Sequence, residues 1–121
     1  MFYSVSLPKA PSSASAARDL LEQLRDQLSP DRMDDARLLL SELVANAVEH
    51  VAADGEIEVR VQVEDGFLRV DVRDPGPGFT HTPRAAEAGD SDRGWGLVFA
   101  ERLARRWGNE PGLVWFELDR S

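Results

Sequence analysis

Two strictly alternating runs, Ile57-Val59-Val61-Val63 and Leu68-Val70-Val72, flank the dipeptide Asp65-Gly66. A period of two over this length marks a half-buried strand, and Asp-Gly between two such runs is what a tight hairpin turn needs. The chain must therefore build a sheet with one apolar face and then cover that face. The second run ends unusually. Phe67, Arg69, Asp71 and Arg73 share one parity, whereas Asp74 shares the parity of Leu68, Val70 and Val72. Alternation thus aims the Asp74 carboxylate toward the core, just before Pro75-Gly76-Pro77-Gly78-Phe79. A buried carboxylate without a partner costs several kcal/mol, so this one needs a donor. A ligand amine would serve, and so would a backbone N–H of the following turn; Pro-Gly-Pro-Gly is by itself ordinary turn chemistry.

The cover for the sheet is legible upstream. Ser12, Ser13 or Ser15 can cap a helix carrying Ala17, Leu20, Leu21, Leu24 and Leu28 at helical spacing. Ser29-Pro30-Asp31 interrupts it, and a second helix is expected from about Met33 to Val51. Phe2 to Leu7 reads as a strand closed by Pro8, Gly96 to Trp107 as a third helix, and Leu113 to Leu118 as a last strand. Residues Thr80 to Arg93 have no period and read as a polar loop. These elements predict an α+β two-layer sandwich, one domain over residues 1–121, with a mixed, mostly antiparallel sheet and about three helices on one face.

Composition removes several function classes. The net charge of −8 argues against a general nucleic-acid binder. The absence of cysteine excludes disulfides, thiol catalysis and cysteine–zinc sites. The only lysine is Lys9, which fits neither a Walker A loop nor a Schiff-base site, so a nucleotide would have to be held without a P-loop. No apolar run approaches the roughly 20 residues of a membrane span. The first residues show no signal-peptide pattern, which makes a cytoplasmic protein the expectation.

Three segments carry candidate chemistry. In the second helix Glu42 and Asn46 fall about 40° apart, with His50 about 40° further on, beside the apolar sector of Leu40, Leu43, Val44, Ala47 and Val51. A carboxylate and an amide at that spacing can share a metal and a proton acceptor, or they can form a solvated polar face. Asp74 with Gly76 and Gly78 is the second segment. Arg93-Gly94-Trp95-Gly96-Leu97 is the third: glycines at a helix start let a backbone approach phosphate, or they make a loop-to-helix junction. The three segments fit one ligand. Asp74 would take an amine such as adenine N6, Gly76 and Gly78 would leave room for the flat base, and Gly94 to Leu97 would hold phosphates. His50 reads as a helix-face hydrogen bonder, His81 as a loop residue, and Trp95, Trp107 and Trp115 as packing residues.

In order and spacing these segments resemble the boxes of the GHKL, or Bergerat-fold, ATPase superfamily: E-L-V-A-N at Glu42 and Asn46, D-P-G-P-G at Asp74, Gly76 and Gly78, and G-W-G-L at Gly94, Gly96 and Leu97. Within it, L-L-L-S-E-L-V-A-N-A-V-E-H and R-G-W-G-L-V-F-A-E-R-L-A-R-R-W-G are similar to the small stand-alone anti-sigma-factor serine kinases. The resemblance implies ATP and Mg²⁺, with Glu42 as general base, Asn46 as Mg²⁺ ligand, Asp74 as adenine reader and Arg93 near the phosphates. It also implies a sigma factor and an anti-anti-sigma antagonist protein as partners, and a homodimer. The chain departs from the family in a short, acidic lid carrying Glu87, Asp90 and Asp92, with Arg84 and Arg93 as its cations. That departure keeps a second reading open, a nucleotide-binding module that sequesters its partner with little or no transfer.

Overall fold

The computed structural model describes residues 2–50, 55–74, 100–110 and 112–121, with the backbone alone at 49 and 50. The order is β1 (Phe2–Pro8), α1 (Ser13–Glu22), α2 (Pro30–His50), β2 (Glu56–Val63), β3 (Phe67–Arg73), β4 (Arg106–Glu110) and β5 (Leu113–Asp119), with residues 100–103 helical ahead of β4. The sheet runs β1-β2-β3-β5-β4, and every pairing in it is antiparallel. This is the expected α+β sandwich. The sheet's parallel component finds no counterpart among the described residues.

The alternating runs meet in register. Val72 lies opposite Val59 and Val114, Val70 opposite Val61 and Phe116, and Leu68 opposite Val63 and Leu118. All nine are buried, so three strands present one continuous apolar grid. Ala36, Leu39, Leu40, Leu43, Val44 and Ala47 of α2 and Ala17, Leu20 and Leu21 of α1 cover it. Each fully buried aliphatic side chain contributes about 1.5–3 kcal/mol relative to exposure, which makes this grid the main source of stability.

Local boundaries depart from the sequence expectations in three places. The first helix ends at Glu22, and Leu24, Arg25 and Gln27 continue as turns that bond three residues back. Leu24 and Leu28 stay buried, so the apolar period outlasts the helix. The second helix starts at Pro30, where the Ser29 hydroxyl accepts from the Arg32 amide at 3.3 Å. Proline is well placed there, because a first-turn amide lacks a helical partner anyway. The third departure is the largest: Arg106–Glu110 is a strand, whereas the sequence places Arg106 and Trp107 at the end of the third helix. Trp107 lies opposite Phe116 and is packed against the core, and Gly108 lies opposite Trp115. A Cβ on Gly108 would come within 2.8 Å of the Trp115 indole, so the edge strand closes only over a glycine.

The C-terminus ties the far end of the sheet to the helices. Arg120 donates to the Gln27 carbonyl at 2.8 Å, the Gln27 side-chain oxygen at 2.7 Å and the Glu64 carbonyl at 3.1 Å. Its own carbonyl accepts from the Ser29 amide at 2.8 Å. Arg120→Ala removes the three guanidinium bonds and is expected to cost about 1–3 kcal/mol. The denaturation midpoint should fall at unchanged m-value, and an unaltered midpoint would show the clamp to be ornamental.

Candidate nucleotide site

The end of the sheet opposite Arg120 gathers the candidate residues that the structure describes. Helix α2 starts beside the C-terminal residues and runs to His50, β2 begins soon after at Glu56, and β3 returns antiparallel so that Arg73 lies opposite Glu58. The last turns of α2 and the C-terminal end of β3 therefore share one end of the molecule.

Asp74 stands one residue beyond β3 and is 6% exposed, as its parity requires. Its amide donates to the Gly112 carbonyl at 2.9 Å, continuing the β3–β5 ladder one step past Arg73 and Leu113. Asn46 on α2 is also 6% exposed, while Glu42, one helical turn earlier, is half-buried. Among the described residues the buried polar or charged side chains are Ser13, Asn46, Asp74 and Glu117. Two of these have evident structural work. The Ser13 hydroxyl donates to the Pro8 carbonyl, and Glu117 pairs with Arg69 at 3.6 Å and Arg106 at 3.8 Å. The remaining two, Asn46 and Asp74, are the pair that spacing and parity single out. Both are buried at one end of an apolar layer and both fall in the motif segments, which makes that end the candidate site.

Gly76, Gly78, Arg93, Gly94, Gly96 and Leu97, together with His81, Trp95 and the loop 80–93, lie outside the described residues. Trp115 faces away from the helices on the outer sheet surface, where the Arg69 guanidinium stacks over its ring at 4.2 Å. It is a strand-packing residue, as expected. The contribution of Gly112 was not legible beforehand. Glu110-Pro111-Gly112 reads only as a turn, and a carbonyl's reach to a residue 38 positions earlier leaves no local signal.

The donor set suits a magnesium nucleotide. A buried carboxylate can accept from an exocyclic amine, and a buried amide oxygen beside a half-buried carboxylate can serve a hard cation. No group of three or more His, Cys, Asp or Glu that could hold a metal is found among the described residues. An Mg²⁺ held by Asn46 would take further oxygens from phosphate and water, the usual arrangement for this ion.

A family model for the histidine kinase-like ATPase domain matches residues 7–110. The chain belongs to this family. Among solved structures it is similar to the RsbU and RsbW domains of Rv1364c from Mycobacterium tuberculosis, with a TM-score of 0.69 and 25% identity over 98% of this chain. It spans 31% of that longer protein. No curated protein matches at the sequence level. Family and fold together identify a histidine kinase-like ATPase domain of the GHKL type. No helix among the described residues is long and apolar enough to cross a membrane.

Proposed function

We propose that this GHKL domain is an anti-sigma factor that binds Mg·ATP and phosphorylates a serine or threonine of a small anti-anti-sigma antagonist protein. The observation that carries the reading is Asp74: a carboxylate 6% exposed at the inner face of a strand end, in a chain of this family. In this assignment Asp74 accepts from the adenine amine, and Asn46 supplies an oxygen to Mg²⁺, which when bound would offset charge on the phosphates. Glu42 takes the proton of the acceptor hydroxyl as its oxygen bonds to the γ-phosphorus and the bond to the bridging oxygen breaks, leaving ADP. By the motif pattern, Gly76 and Gly78 would give the base room, and Arg93, Gly94, Gly96 and Leu97 would serve the phosphates. The proposed setting is cytoplasmic, with the protein acting as a homodimer on its partners.

Titration calorimetry with ATP and ADP, with and without Mg²⁺, tests the reading. A micromolar affinity, about −8 kcal/mol, is expected. Folded protein that takes up no nucleotide would overturn it. The acidic composition of residues 80–93, with Glu87, Asp90 and Asp92, favours one alternative, a module that binds nucleotide and sequesters its partner without transfer. Incubating the ATP-loaded protein with a candidate antagonist and following labelled phosphate separates the two.

A further inference from the structure

We infer that Gly112, the residue before β5, is a positioning residue for the base-reading carboxylate. This rests on the assignment of Asp74 to the adenine amine made above. Asp74 lies beyond the last paired residue of β3, and at this strand end its backbone amide bonds to the Gly112 carbonyl at 2.9 Å. That acceptor belongs to a tight connection, since only two residues separate Glu110 from its register partner Leu113. Gly112 is buried and has φ +81°, a conformation that L-residues adopt only at a cost. The direction of its carbonyl depends on this left-handed geometry. A residue driven back to negative φ would re-aim the carbonyl and release the Asp74 backbone from its present place. The carboxylate would then lose the alignment that a hydrogen bond to one exocyclic amine requires.

The structure also supplies a matched control. Gly66 has φ +85° in the β2–β3 turn, and a Cβ there meets nothing within 4 Å. It carries the same backbone constraint at the other end of β3, eight residues and about 25 Å of strand away from Asp74. Gly66→Ala therefore reproduces the backbone cost of a Gly112 substitution without touching the Asp74 amide.

The experiment compares ATP with purine riboside triphosphate, which lacks the exocyclic amine, on wild type, Gly112→Ala, Gly66→Ala and Asp74→Asn. Wild type is expected to prefer ATP by about tenfold or more, the worth of one charge-assisted hydrogen bond. Gly112→Ala should erase most of that preference by weakening ATP alone, with affinity for the analogue retained. A merely structural role would weaken both ligands together. Gly66→Ala should lose stability and keep the preference. Gly112→Asn, which tolerates positive φ, should restore it. Full preference in Gly112→Ala, beside lost preference in Asp74→Asn, overturns the role of Gly112 and leaves the Asp74 assignment standing. Preference absent from wild type, or intact in Asp74→Asn, overturns the Asp74 assignment and this inference with it. Should the alanine variant not fold, the wild-type amide resonances decide: those of Asp74 and Gly112 should shift together with ATP and not with the analogue, and a Gly112 resonance blind to the difference overturns the inference.

Discussion

Glu42→Gln is expected to lower phosphoryl transfer by about 10²- to 10⁴-fold, the usual worth of a positioned general base, while ATP affinity is retained. Glutamine preserves the shape and hydrogen-bonding reach of the side chain but cannot take up the hydroxyl proton. Glu42 lies one helical turn before the buried Asn46 and is itself half-buried, so the substitution leaves the apolar layer of Leu39, Leu40, Leu43 and Val44 intact. Single-turnover transfer from labelled ATP to the antagonist protein measures the first quantity, and calorimetry the second. Transfer at the wild-type rate would remove Glu42 from the role of base. Loss of ATP binding in parallel would instead make it part of the binding site.

Asp74→Asn is expected to weaken ATP by about 10- to 100-fold, corresponding to the 1.5–3 kcal/mol of a hydrogen bond to a charged group. The asparagine amide has the same outline, and the backbone bond from residue 74 to the Gly112 carbonyl does not involve the side chain. The fold should therefore persist, as circular dichroism would show. Ligand stabilisation gives a second readout. A ligand at 100 times its dissociation constant stabilises the native state by about 2.7 kcal/mol, and the same ATP concentration should stabilise the variant by only about 0.4–1.4 kcal/mol, with a correspondingly smaller rise in melting temperature. A variant stabilised by ATP as strongly as wild type would show that the base is read elsewhere.

Both predictions concern side chains whose placement follows from simple periods. Asp74 is buried because a strand repeats every two residues and the apolar set of β3 has even numbers. Glu42 and Asn46 lie beside the buried face of α2 because a helix repeats every 3.6 residues, though Asn46 proves more deeply covered than a stripe flanking the core suggests. The Asp65-Gly66 turn forms between β2 and β3 with Gly66 at positive φ, as that residue pair dictates. These features are local: the residues that cause them adjoin the residues that show them. The expected roles of Gly76, Gly78, Arg93, Gly94, Gly96 and Leu97 rest on the motif pattern, since these residues lie outside those described.

What the amino-acid sequence determined unaided is thus the apolar grid, its helical cover, the inward-facing Asp74 and the stripe of Glu42 and Asn46 beside the buried face of α2. What only the tertiary structure decided depends on partners far along the chain. Arg106 and Trp107 read as the end of a helix until Leu113–Asp119 offers Arg106–Glu110 a strand to pair with and Trp115 requires a glycine at Gly108. Arg120 closes the fold by reaching Gln27, 93 residues away. The Gly112 carbonyl meets the Asp74 amide because two hairpins align in one sheet. Periodicity reports which way a side chain points, since that is a property of the local backbone. It carries no term for which distant carbonyl will arrive beside it, and that choice is made by the packing of the assembled sheet.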